Sequence, residues 1–176
     1  NEILTSLMLT YVALFTLDYF VVGPWKDPAG YGLPKSMPFP DAGRLPVLFD
    51  GLRIHIGVFF AIIICFITHI VYNKTLFGFK LRVSGLSSKA SQYAGFKYKN
   101  LIFYTFIISG ACAGLAGLFE VSGPIGLLYR DISPNYGFTA IIVAFLGRLN
   151  PFDIILSSLL IALSYLGAED AQLFLK

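Results

Sequence analysis

Acidic side chains are scarce in this chain of 176 residues, ten Asp and Glu in all, and between Asn73 and Asn100 there are none. Charged residues of either sign make up only 13%, against 56% hydrophobic and 16% aromatic. A soluble domain of this length would be left with more apolar surface than it could bury, so the composition calls for a lipid bilayer. Cysteine is nearly absent, and Cys65 and Cys112 both fall in apolar runs, where a thiol behaves as a small hydrophobe; no disulfide is expected. Histidine is limited to His55 and His69, with no second ligand at metal spacing, so neither a metal nor any other cofactor is expected. There is no Gly-rich phosphate loop ending in Lys-Ser/Thr and no nucleophile elbow, which argues against an enzyme and against ATP hydrolysis by this chain. Nor does any basic patch call for nucleic acid.

The apolar residues come in runs long enough to span a membrane. Ile3 to Val22 is twenty residues, about 30 Å as a helix, and stops at Gly23-Pro24. A Pro-rich stretch follows, with Pro28, Pro34, Pro38, Pro40 and Pro46, and reads as an extended loop with short turns. Ile54 to Tyr72 is the second crossing and Leu101 to Val121 the third. Phe138 to Leu146 is too short to cross and halts at Gly-Arg-Leu-Asn-Pro before Ile154 to Leu166 resumes. That part reads either as a short helix joined to a longer one or as one helix broken at Arg148 to Pro151. The expected fold is all-α and polytopic, with about four to five membrane helices including the short or broken one. The opening at Asn1-Glu2, with neither Met nor a basic-then-apolar leader, fits a portion of a longer polypeptide.

Residues 73–100 carry Lys74, Lys80, Arg82, Lys89, Lys97 and Lys99 with no acid, whereas residues 23–53 mix Lys26, Lys35, Arg44 and Arg53 with Asp27, Asp41 and Asp50. Positive charge collects on the cytoplasmic side, so residues 73–100 are expected inside, and residues 23–53 and the Arg130-Asp131 loop outside. Within the basic segment Ser87 or Ser88 can cap a short helix, and Gly95 can close it in the left-handed conformation. Leu86, Ala90, Tyr93 and Ala94 fall at i, i+4, i+7 and i+8 and form one apolar stripe. By local pattern this helix either lies on the membrane surface or docks on another protein.

Here a family resemblance becomes specific. The stretch from Phe77 to Asn100 resembles the cytoplasmic loop of permease subunits of bacterial ABC importers, in the branch that includes branched-chain amino acid, ribose, and nucleoside or simple-sugar permeases. The matching positions are Phe77, Gly78, Phe79, Leu81, Arg82, Gly85, Tyr93, Ala94 and Gly95. The opening residues, GPWKDPAG, SGACAGLAGLFEV and SPNYGFTAIIVAFLGRLNP are similar in order and kind, so the resemblance covers nearly the whole chain and is nearest the nucleoside and simple-sugar group. The chain departs from the family in having Ser88-Lys89-Ala90-Ser91 where Glu-Ala-Ala often precedes the Tyr. The resemblance implies a single transmembrane permease domain over 1–176, the C-terminal portion of a longer subunit, in a bacterial plasma membrane. It implies a coupling helix at 87–95, with Leu86, Ser87, Ser88, Lys89, Ala90, Tyr93, Ala94 and Gly95 facing an ABC ATPase. The other implied partners are a second permease subunit, an extracytoplasmic solute-binding protein and a small-molecule solute.

Three further features are read from the residues. Gly110, Ala113, Gly114 and Gly117 put small side chains on one helix face, which lets another helix approach closely. Asp18 and Glu120 stand near helix ends, where each either faces the solute pathway or forms a structural hydrogen bond. Arg148 either neutralises helix-end carbonyls or faces the cytoplasm. An ion-coupled secondary transporter is the competing class, and it would call for paired ionisable residues deep in the spans, of which the chain shows none. A membrane protein without transport activity is the other alternative.

Overall fold

The computed structural model describes residues 2–30, 32–46, 55–130, 132–133 and 135–174. Ile54, Arg53, Asp50 and Asp131, used above for a helix boundary and for charge counting, lie outside them. The described residues form helices joined by turns, with two isolated β-bridges and no strand. In chain order the helices are α1 (Glu2–Val22), α2 (Gly57–Lys74), α3 (Leu76–Leu86), α4 (Ser88–Tyr93), α5 (Tyr98–Glu120), α6 (Tyr136–Leu146) and α7 (Pro151–Phe174). Leu4–Val22, Gly57–Lys74, Tyr98–Ile125 and Pro151–Ala168 are each long and apolar enough to cross a membrane. Among the described residues the only buried hydrophobic side chains are Val21 and Leu101, while Ser36, Ser84, Ser91 and Ser157 are the buried polar ones. The chain thus makes its internal contacts largely through small polar groups and turns its large apolar ones outward, as helices do when lipid or other helices cover them.

The chain divides into two compact units, residues 1–58 with 111–134, and residues 59–110 with 135–176. In the first, α1 ends at Gly23-Pro24, and the Trp25 ring stacks back on Phe20 at 4.6 Å. The Pro-rich stretch is extended, as expected, and lies along residues 122–129. The Ser36 amide donates to Leu128 O, the Leu128 amide donates to Ser36 Oγ, Phe39 N donates to Gly126 O, and Leu45 N donates to Ser122 O. The third apolar run does not stop at Glu120. It continues as a π-helix over Val121–Ile125 with Pro124 inside, and Gly126 N closes it onto Val121 O at 2.8 Å.

In the second unit the C-terminal alternative is decided, since α6 and α7 are two helices folded back on each other. Ser157 Oγ donates to Val143 O at 3.0 Å, and the Thr139 hydroxyl lies 3.2 Å from that of Tyr165. The elbow between them needs an unusual backbone, with Arg148 at φ 49° and Leu149 at φ 57°. Their amides close the end of α6 by donating to Phe145 O and Ala144 O. Gly147 precedes them because a Cβ there would stand 2.8 Å from the Ile154 amide nitrogen, on the backbone of the first turn of α7.

Candidate functional site

The basic segment contains more helix than its sequence predicts. Residues Leu76–Leu86, read above mostly as loop, form α3, because Thr75 caps them: its Oγ1 accepts from Gly78 N and donates to Val71 O. Ser87 then leaves the helical region (φ −159°, ψ 119°), ending α3 and starting α4. Its hydroxyl oxygen accepts from Ala90 N at 3.3 Å, so of the two candidate caps Ser87 serves. At the other end Gly95 has φ 72°, its amide donates to Gln92 O, and Phe96 N donates to Ser91 O. That pair of bonds is the Schellman closure, which favours Gly at this left-handed position.

One consequence concerns the apolar stripe. Leu86 stands on α3, before the break, and so does not share a helix with Ala90, Tyr93 and Ala94. All four nevertheless face outward, with Leu86 89% and Tyr93 93% exposed. Lys89 is exposed beside them; the side chain of Ser88 is outside the description. What α4 turns inward is polar: Ser91 is fully buried, and its Oγ lies 2.8 Å from Oγ of buried Ser84. This hydroxyl pair pins α4 to α3. Neither serine is singled out by motif, and the signal that could have found them is the pair of small hydroxyls seven residues apart on the side opposite Tyr93. Nearby cations rest on rings, Lys80 over Phe96 at 5.6 Å and Arg82 over Tyr72 at 5.5 Å. Phe96 meets Phe79 edge-on. The segment is a small platform carrying one aromatic, Tyr93, that is almost fully exposed.

The other candidates belong to other helices. Gly110, Gly114 and Gly117 on α5 have open space where a Cβ would be, and Ala113 is exposed, so among the described residues nothing fills that small-residue face. Asp18 Oδ2 lies 3.3 Å from Arg130 Nη2, while Asp18 Oδ1 is buried without a hydrogen-bond partner. Glu120 is half-buried where α5 passes into the π-helix, and among the described residues no interaction joins it to Asp18. His55 serves the backbone, its Nδ1 accepting from Gly57 N at 3.1 Å, and among the described residues no group of three or more metal-ligating side chains occurs.

Residues 1–172 match the family described as "Branched-chain amino acid transport system / permease component". The chain belongs to this permease family. Its relatives include the glucose ABC transporter permease protein of Haloferax volcanii, 33% identical over 98% of the chain and 48% of that protein. The guanosine ABC transporter permease protein of Bacillus subtilis is 31% identical over 96% of the chain and 49% of its own length. The nucleoside ABC transporter permease protein of Lactococcus lactis is 28% identical over 96% and 48%. The permease chain therefore spans about half the length of these curated relatives. No solved structure matches it. With four helices among the described residues long and apolar enough to cross a bilayer, this is an integral membrane chain of the permease family.

Proposed function

We propose that the chain is the part of an ABC importer permease that couples an ATPase to the membrane, and that the importer carries nucleosides or simple sugars. The observation that carries the coupling is the α3–α4 platform: a helix capped at both ends, pinned from behind by Ser84 and Ser91, and presenting Tyr93 almost fully exposed. A helix resting on lipid needs a broad apolar face, whereas α4 offers one aromatic ring among small and polar side chains, the form of an interface anchor. Nucleotide binding by the ATPase would move this platform and, through α3 and α5, the spans on either side of it.

Supporting the solute class are the relatives named for glucose, guanosine and nucleosides. The family description itself names branched-chain amino acids, so leucine is the solute to test against. The charge asymmetry supports placing residues 73–100 in the cytoplasm and 23–53 outside. In that orientation Asp18 and Glu120 stand toward the outer end of the solute pathway. The small-residue face of α5 would then receive a helix from outside this chain, from the remainder of the subunit or the second permease, and a solute-binding protein would deliver from outside.

The deciding experiment uses the full-length permease with its ATPase and binding protein. Tyr93→Ala is expected to weaken ATPase association on the order of 30-fold, the equivalent of about 2 kcal/mol, and to abolish solute-stimulated ATP hydrolysis, while Lys26→Ala changes neither. Normal association and stimulation in Tyr93→Ala would retire the coupling role. Uptake of leucine with no response to any nucleoside or sugar would retire the solute class. For orientation, Met37→Cys should react with an impermeant thiol reagent added outside and Lys89→Cys should not; the opposite result reverses the topology.

A further inference from the structure

The elbow between α6 and α7 leads into a first turn of α7 that packs part-way along α2, well short of its basic end. Cys65 Sγ lies 2.9 Å from Pro151 O, and the Phe152 ring packs on His69 at 4.4 Å and on Phe66 at 6.3 Å between centroids. Along α2, Cys65 is nine residues and His69 five residues before Lys74, so the start of α7 is level with points about 14 Å and about 8 Å from the basic end of that span. The short helix α6 is consistent with this, because its eleven residues reach about 16 Å, half of the hydrocarbon core. A chain that turns at this level leaves its helical hydrogen-bond ladder where water is ordinarily absent.

The side chains at the turn make the same point. Arg148, Asn150 and Asp153 are all exposed in this chain, and Leu149 is 64% exposed. Asn150 Nδ2 donates to Asp153 Oδ2 at 2.9 Å, and Arg148 and Asp153 form no ion pair with each other. Charged groups inside a membrane span are costly unless they face water or a partner, and non-helical backbone is tolerated there only when buried in protein or lining a water-filled cavity. Here the described residues do not bury them.

We infer that the Gly147–Asn150 elbow, with Arg148, Asn150 and Asp153, lines the aqueous solute pathway of the permease and contacts a hydrogen-bonding solute there. Asn150 and Asp153 form one preassembled donor–acceptor pair, and Asp153 keeps its second carboxylate oxygen for a hydroxyl of the passing solute. Arg148 brings a fixed positive charge to the same turn. The inference rests on the transport reading above and adds to it the stretch of chain that the solute meets inside the membrane.

Accessibility to water tests it without relying on transport. In the full-length permease with Cys65→Ser and Cys112→Ser, single cysteines are placed at Leu149, Asn150 and Asp153, with Ile67→Cys as control. Ile67 lies at the same level of α2 between Cys65 and His69, is 53% exposed and sits on an unbroken helix. A charged, impermeant methanethiosulfonate reagent applied to the monodisperse protein in proteoliposomes is expected to modify the elbow positions at least about tenfold faster than Ile67→Cys. Saturating guanosine or glucose, whichever the parent transports, is expected to slow the elbow reaction alone. Elbow cysteines as unreactive as Ile67→Cys would show that protein or lipid seals the turn and would overturn the inference. Fast modification that neither solute slows would overturn it too, since the turn would then be wet but off the pathway. Leu149→Cys keeps the test decisive should the polar variants fail to assemble. Uptake by the unmodified parent is scored separately; its absence would defeat the transport reading while the labelling contrast still reports whether the elbow is wet.

Discussion

Two helix–turn–helix breaks in this chain solve the same problem by different means. Between α3 and α4 a single residue, Ser87, steps into the extended region, caps the next helix with its own hydroxyl and lets Ser84 and Ser91 close the gap behind it. Between α6 and α7 the chain needs Gly147, then Arg148 and Leu149 in left-handed conformation, and only then Asn150 and Pro151. The first break is built from residues that favour it. The second holds two side chains where L-residues lose about 1–2 kcal/mol each, and it is kept by Ser157 on Val143 O and by Asn150 on Asp153. A break without strain suits a surface that must be presented in one shape. Strain retained against local preference points instead to something the turn must place, which is where the polar side chains of the elbow are found.

The largest expected effect falls on the strained break. Gly147→Val drives a branched side chain into the backbone of the first turn of α7 and should cost about 3 kcal/mol or more, read as loss of folded, monodisperse protein from the membrane. The matching change at the relaxed break, Ser87→Ala, removes one cap and should cost about 1 kcal/mol, seen as a lower melting temperature in detergent with the fold retained. If the two variants lose equal stability, the contrast between the breaks is wrong. A smaller effect of opposite sign is expected for Leu149→Gly: releasing one left-handed side chain should add about 1 kcal/mol of stability less the extra freedom of the unfolded chain, read as a higher melting temperature. The smallest is a coupling. A double-mutant cycle of Ser84→Ala and Ser91→Ala should show the pair to be non-additive by roughly 0.5–1 kcal/mol, because removing either hydroxyl strands the other. Additive losses would mean that the two hydroxyls do not bond.

These two regions also separate what the sequence reveals from what it hides. Spans could be read from runs of apolar residues, since the length needed to cross a bilayer is set by the helix rise alone. The caps of α4 were equally legible, because Ser and Gly are selected at those positions for local backbone reasons that a linear pattern records. The length of α3 was not, because its residues show neither a clean apolar stripe nor a flanking proline, and what starts it is the side chain of Thr75 bonding across the end of α2. Leu86 and Tyr93 fitted a single helical stripe by spacing, and the break at Ser87 overrode that spacing. The elbow was hardest. Arg148 and Leu149 carry no sign of left-handed backbone, and its depth depends on Cys65 and Phe152, which lie far apart in sequence.

The π-helix after α5 has a consequence for spacing that extends well beyond its five residues. Closing Gly126 N onto Val121 O places one more residue in the ring than an ordinary helical turn holds. Removing one residue from 121–125 would let the ordinary helix run on, and each residue of such a helix turns the chain by about 100°. Everything after it would be rotated by that step, so Leu128 would no longer meet Ser36 and Tyr129 would no longer meet Lys35. A single surplus residue thus acts as the phase setting between a transmembrane helix and the segment laid along it, and length in this stretch should tolerate change less readily than composition.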